Sequence, residues 1–193
     1  MLFSSPFHKN IGFSCQSNST YDETKIFEQE WQLLSPKAVN KRKYQFFLGR
    51  LAAHKAMEQL NIKPSPVLKG NDNEPVWPPG LTGSITHTKN TAIAAVAKKK
   101  DNISGVGVDI EKITRKISWG IIDKICLPSE KVWVEQISQK SNIRLFMIFS
   151  AKETVYKTFF PIYKTFFGFH EVFLTWNEQK QSFDGKLLNK NIF

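Results

Sequence analysis

The sequence predicts an α+β fold, on three observations. A four-residue apolar repeat marks a long helix in the first third. Short alternating segments separated by turn residues follow it. A second helical stretch and further alternating segments then fill the last third. The order helix, strands, strand, helix, strands also suggests two similar halves, drawn here as 1–102 and 103–193, although no sequence repeat accompanies it.

Residues 1–35 give little beyond a strand near Ile11. From Ala38 to Leu60 the positions Tyr44, Leu48, Ala52, Ala56 and Leu60 form one helical stripe, and Pro64 and Pro66 close the region. A loop rich in Asn, Asp, Pro and Gly runs from Gly70 to Gly80. Two strands are expected at Gly83–Thr88 and Thr91–Ala97, with Lys89-Asn90 as the turn. A third is expected at Gly105–Glu111. Helices follow at Ser129–Gln139, with Ser129 as the N-cap after Pro128, and from about Asn142 to Phe160 before Pro161. The chain closes with strands at Glu171–Trp176 and Gln181–Leu188.

Composition narrows the class of protein. With 193 residues and 41% hydrophobic content the chain can bury a real core. A net charge of +10 favours anionic partners without choosing among them. Cys15 and Cys126 have no metal-binding spacing and read as reduced thiols, as in a cytoplasmic protein. No signal peptide is legible, and no segment approaches the roughly 18–20 apolar residues that span a bilayer.

Four clusters carry candidate chemistry. In Gly105-Val-Gly-Val-Asp-Ile-Glu111, read as a strand, Val106, Val108 and Ile110 share one face. The other face has two glycines, then Asp109 and Glu111. Glycine in a strand often marks close approach by a ligand or another backbone. Paired carboxylates suit a hard cation such as Mg²⁺. A strand ending in a solvated acidic turn would look the same. In Phe149-Ser-Ala-Lys-Glu-Thr-Val-Tyr-Lys157, Glu153 and Lys157 share a helix face, with Lys152 beside them. They could be a surface ion pair, or could complete a metal and phosphate site with Asp109 and Glu111. In Gly83-Ser-Ile-Thr-His-Thr88, Thr86 and His87 could reach phosphate oxygens, or His87 could be structural. Arg42 and Arg50 lie about 80° apart around the first helix and about 12 Å along it. They could grip separated parts of a long anion, with Lys69 nearby, or could simply be solvated.

Taken in order, these segments resemble the 4′-phosphopantetheinyl transferases, most closely the monomeric surfactin- and enterobactin-type branch. The resemblance rests on Arg42-Lys-Tyr-Gln-Phe-Phe-Leu-Gly-Arg50, Glu74-Pro-Val-Trp-Pro-Pro-Gly-Leu-Thr-Gly-Ser-Ile-Thr-His87, Gly105–Glu111 and Phe149–Lys157. It covers about residues 40 to 165. It implies a pseudo-twofold pair of α+β halves with the cofactor between them. It also implies that Asp109, Glu111 and Glu153 are the Mg²⁺ carboxylates, with Mn²⁺ as the alternative ion. Arg42, Arg50 and Lys69 would take the 3′-phosphate end of coenzyme A. Thr86, His87, Lys152 and Lys157 would contact its phosphates. Ile110, between the two acids, offers no ligand.

The implied reaction moves 4′-phosphopantetheine from coenzyme A to a serine of an acidic acyl or peptidyl carrier protein. Glu153, directly or through a water, would take the serine proton, and Lys157 would stabilise phosphoryl charge. A cytoplasmic monomer without a nucleic-acid partner is expected. The pathway (siderophore, polyketide, nonribosomal peptide or fatty acid) is not encoded legibly. Two other readings stay open from the residues alone: a metal-dependent nuclease, and a non-enzymatic basic binding module.

Overall fold

In the computed structural model, residues 5–113 and 119–188 are described, and they divide into two compact units. The first runs through Ile110 and takes in Lys157–Ile162; the second comprises Glu111–Tyr156 and the chain from Tyr163 on.

The first unit is organised by an alanine-rich strand. Strand β1 (Ile11–Ser17) is followed by a four-residue helix α1 (Glu28–Trp31) and by the long α2 (Asn40–Gln59). A two-residue ladder, β2 (Leu68–Lys69) with β3 (Pro75–Val76), leads into β4 (Leu81–His87) and β5 (Thr91–Lys98). The main sheet is antiparallel with order β1-β5-β4. Strand β5 is central and covered on both faces, which explains its small side chains. Ala94 and Val96 pack with Ala52, Ala53, Ala56 and Met57 of α2. Ile93, Ala95 and Ala97 point the other way, onto Phe13, Val106 and Val108. Close packing of α2 is helped by Gly49, where a Cβ would sit 3.1 Å from Ile85 Cγ2.

Gly105–Glu111 departs from expectation. Val106 and Val108 are buried as an alternating pattern requires, yet the segment joins no strand ladder among the described residues. The segment lies against the face of the sheet rather than along its edge. Alternation reports one buried side, which a flat-lying segment satisfies as well as a strand does. Gly105 is where another backbone comes close: an added Cβ would meet the Thr158 carbonyl oxygen at 2.7 Å and Ile162 Cδ1 at 2.7 Å. Gly105→Ala should therefore destabilise by about 1–3 kcal/mol, the usual cost of overpacking, read as a lower unfolding temperature.

The second unit holds α3 (Ile122–Ile125), α4 (Pro128–Glu135), α5 (Ser141–Tyr163, whose last turns belong to the first unit) and a hairpin of β6 (Val172–Asn177) and β7 (Ser182–Leu187). Its core includes Ile122, Ile125, Val134, Leu145, Phe146, Ile148, Val172 and Leu174. The N-cap of α4 is Leu127, not Ser129. Pro128 occupies the first helical position, where its missing N–H costs nothing, so the cap moves back one residue beyond it.

The two units repeat one device. In each, a short helix carries a fully buried glutamate at its third position that folds back onto its own N-cap. Glu30 Oε2 accepts from Phe27 N at 3.0 Å, and Glu130 Oε2 accepts from Leu127 N at 2.7 Å. Each also accepts a distant backbone N–H, from Val67 at 2.8 Å and from Leu174 at 2.8 Å. Each faces a cation of a long helix: Arg50 of α2 for Glu30, which also meets the His54 ring, and Lys152 of α5 for Glu130. The same buried arrangement thus occurs in both units of the α+β fold.

Candidate active site

The candidate site of the first unit is built where the end of β4, the 103–110 segment and the Lys157 turn of α5 meet. Thr86 is buried near the end of β4 and donates its hydroxyl to Asp109 Oδ1 at 3.0 Å. Lys157 Nζ donates to the same oxygen at 2.5 Å and to Thr86 Oγ1 at 3.4 Å. The Asp109 side chain is 4% exposed and that of Lys157 26%. Three residues singled out from separate segments therefore form one hydrogen-bonded group.

Basic side chains lie around this group. His87 follows Thr86 and remains open to solvent at the strand end. Partial desolvation of its ring, and then the positive charges of Arg42 and Lys157, push its pKa below the ordinary imidazole value. Helix α2 is tied to this strand end by Gln45, whose Nε2 donates to Thr88 O at 3.1 Å. Arg50 is buried, its Cζ 4.4 Å from the Phe46 ring centroid and its Nε 3.6 Å from Glu30 Oε1. Burial lowers its pKa to about 10; Glu30 opposes that shift, and the nearby charge of Arg42 adds to it.

Two buried side-chain atoms lack a hydrogen-bond partner among the described residues: Asp109 Oδ2 and Arg50 Nε. Such orphans in a folded protein mark places where an ion or ligand completes the shell. A carboxylate oxygen with free lone pairs fits a hard divalent cation, whereas Arg50 Nε faces the Glu30 carboxylate at 3.6 Å. Lys69 is exposed in β2.

The other expected site residues belong to the second unit. Glu111 is exposed and lines an apolar cavity of about 590 Å³, together with Phe146, Met147, Val155, Leu174 and Trp176. Glu153 is half-buried and lines a smaller cavity of about 260 Å³ with Tyr156, Phe166 and Phe167. Among the described residues, no three His, Cys, Asp or Glu side chains are grouped to hold a metal ion.

Lys152 is placed differently from the expected phosphate contact. It is 1% exposed, and its ammonium is enclosed by Glu130 Oε2 at 2.6 Å, Ile125 O at 2.8 Å and Phe169 O at 2.8 Å. One helical step from Glu153 turns the side chain by about 100°, into the interior. All three of its donors are used.

The aromatic residues after α5 divide as their burial dictates. Phe167 is 4% exposed, Phe169 stacks on Phe149 at 5.6 Å, and Phe166 stands 77% exposed beside Tyr156. Trp77 donates its indole N–H to Gly83 O at 2.9 Å and packs against the α2 core, as a rigid loop residue. Cys15 and Cys126 are free thiols; burial pushes Cys126 up to about 11, which makes it an inert one.

Sequence comparison agrees with this chemistry. Residues 29–97 match the 4′-phosphopantetheinyl transferase N-terminal domain, and residues 105–191 match the 4′-phosphopantetheinyl transferase superfamily. The 4′-phosphopantetheinyl transferase PptT of Mycobacterium tuberculosis is 32% identical over 157 residues, 81% of this chain and 68% of that protein. The chain belongs to the 4′-phosphopantetheinyl transferase superfamily. The transferase Npt of Nocardia iowensis is 31% identical over 163 residues, 84% of this chain and 72% of its own. Enterobactin synthase component D of Salmonella typhi is 36% identical over 123 residues, 63% of this chain and half of that protein.

Membership makes the chain an enzyme of a family that uses coenzyme A as co-substrate and acts on carrier proteins. The nuclease and binding-module readings fall with it. No helix among the described residues is long and apolar enough to cross a membrane. What sequence reasoning missed are Glu30, Glu130 and the apolar cavity. The glutamates carried one local signal, an apolar residue three positions before each glutamate at a helix start.

Proposed function

We propose that this transferase moves the 4′-phosphopantetheine arm of coenzyme A onto a serine hydroxyl of an acidic apo carrier protein, releasing adenosine 3′,5′-bisphosphate. The observation that carries this reading is the Thr86–Asp109–Lys157 group, with its unpartnered Asp109 oxygen, together with the cations Arg42 and Arg50 and the imidazole of His87. The family resemblance assigns Asp109, Glu111 and Glu153 to a divalent cation, Mg²⁺ or Mn²⁺; the support from this chain is the unfilled shell of Asp109 Oδ2, since the three carboxylates are not grouped among the described residues. When bound, that ion neutralises pyrophosphate charge.

The chain's own residues do the rest. Arg42, Arg50 and Lys69 hold the 3′-phosphate end, and Thr86 and His87 offer donors to the pyrophosphate. Lys157, already positioned by Asp109, stabilises charge on the transferred phosphoryl group. Glu153, directly or through a water, accepts the serine proton as the serine oxygen–phosphorus bond forms and the pyrophosphate bridge breaks. Lys152 is left out of the phosphate contacts because its donors are satisfied internally, and with Glu130 it fixes the turn that carries Glu153. The apolar cavity of the second unit, with Ser150 and Thr154 on its wall, suits a pantetheine arm, which is a branched alkyl chain broken by two amides.

A net charge of +10 suits an acidic carrier and raises the encounter rate with it. A panel of apo carrier proteins, assayed with Mg²⁺, with Mn²⁺ and with chelator, tests the reading. Transfer that is strongest for the most acidic carriers, falls with added salt and is lost with chelator supports it; equal rates with chelator remove the metal assignment. Arg50→Ala should raise the KM for coenzyme A more than it lowers kcat, by about tenfold or more, the scale of one charge-assisted contact to phosphate. Unchanged KM with lost kcat would remove Arg50 from cofactor binding.

A further inference from the structure

Glu30 is completely buried, and both of its carboxylate oxygens are engaged. Oε2 caps α1 through Phe27 N. Oε1 accepts from Val67 N at 2.8 Å, meets His54 Nε2 at 3.1 Å and lies 3.6 Å from Arg50 Nε. Capping a helix start and holding one backbone N–H needs only a neutral acceptor, and a buried carboxylate is costly without a cation to answer it. Arg50 supplies that cation. Its guanidinium is held on one edge by Glu30 and on one face by the Phe46 ring. Nε faces Glu30 at 3.6 Å, a charge contact rather than a hydrogen bond, which leaves the terminal nitrogens as the edge to meet an anion. The same Glu30 oxygen fixes Val67, two residues before Lys69 in the β2 ladder.

We propose that Glu30 is a positioning residue for recognition of the 3′-phosphate of coenzyme A. It locks Arg50 in its binding orientation before the ligand arrives and anchors the strand that presents Lys69. The proposal rests on the assignment of Arg50 and Lys69 to that phosphate. Preorganising a guanidinium spares the rotamer entropy otherwise lost on binding. Holding it within reach of Arg42 also requires a fixed negative charge in the absence of ligand.

The test compares coenzyme A with 3′-dephospho-coenzyme A, by calorimetric Kd and by steady-state kinetics, for the wild-type protein and Glu30→Gln. The wild type should prefer coenzyme A. Glu30→Gln should lose about tenfold of that preference, through Kd and KM for coenzyme A, with affinity for the dephospho form and kcat near wild type. An undiminished preference in Glu30→Gln overturns the positioning role while leaving the phosphate assignment intact. A wild type that does not distinguish the two ligands overturns that assignment and the proposal with it. Should Glu30→Gln fail to fold, the wild-type protein still decides through the NMR signal of the Arg50 Nε–H, assigned from its absence in Arg50→Lys. A sharp, slowly exchanging resonance before ligand is added supports the proposal; a rapidly exchanging one that sharpens only with adenosine 3′,5′-bisphosphate overturns it.

Discussion

Asp109→Asn lowers phosphopantetheine transfer by roughly 100- to 1,000-fold, the scale of losing one electrostatic contact at a reacting centre, while the protein stays folded. Asparagine keeps an oxygen for the Thr86 hydroxyl at Oδ1 and preserves the shape of the site. What it removes is the negative charge, and with it the partner of Lys157 and the open ligand atom at Oδ2. Without that charge the 2.5 Å ion pair that holds Lys157 against Asp109 is lost, which weakens the positioning of the lysine. Transfer rates and circular dichroism on the same sample check this. Near-normal turnover in a folded Asp109→Asn protein would take the residue out of the chemistry.

Glu130→Ala should produce the largest loss of stability of any single change discussed, about 3–5 kcal/mol, the usual effect of stranding a buried ionic partner. For a chain of this size that corresponds to a fall of roughly 10 °C or more in unfolding temperature. The Lys152 ammonium and the Glu130 carboxylate are both 0% exposed, and the carboxylate also serves Leu127 N and Leu174 N. Removing it leaves a buried ammonium and two backbone donors short of an acceptor. The exposed pair Lys131–Asp123 is the built-in control. Asp123→Ala should cost less than about 1 kcal/mol, as surface ion pairs do. Equal shifts for the two variants, measured by calorimetry, would contradict the buried-pair account.

Much of the site could be seen in the sequence because its residues sit in short local patterns. The helix stripe at Tyr44, Leu48, Ala52, Ala56 and Leu60, and the strands at β4 and β5, emerge within a few residues of expectation. Thr86, Asp109 and Lys157 were each marked by their own segment, and the fold joins them. The glycine reading also held in one of its two forms: at Gly105 it is a backbone, that of Thr158, that comes close.

The errors have physical causes. Period-two alternation cannot tell a ladder strand from an extended segment lying on a sheet, so Gly105–Glu111 was assigned hydrogen bonds it does not make. Lys152 was grouped with Glu153 by adjacency, although neighbouring helical residues point about 100° apart. Ser129 after a proline has the local pattern of a cap, but Pro128 is itself the first helical residue, so the cap is Leu127. Beyond the N-cap three residues before each, the partners of Glu30 and Glu130 lie 20 or more positions away, where no local pattern reaches.

The claim on which the account rests is that this chain joins a phosphopantetheine arm to carrier-protein serine. The most direct measurement is intact mass spectrometry of an apo carrier protein after incubation with the enzyme, coenzyme A and Mg²⁺. The account predicts a gain of one phosphopantetheine arm on the carrier serine with an equal amount of adenosine 3′,5′-bisphosphate released, and no gain on a Ser→Ala carrier. A folded enzyme that leaves every carrier of a broad panel unmodified, or that consumes coenzyme A without modifying the serine, would contradict it.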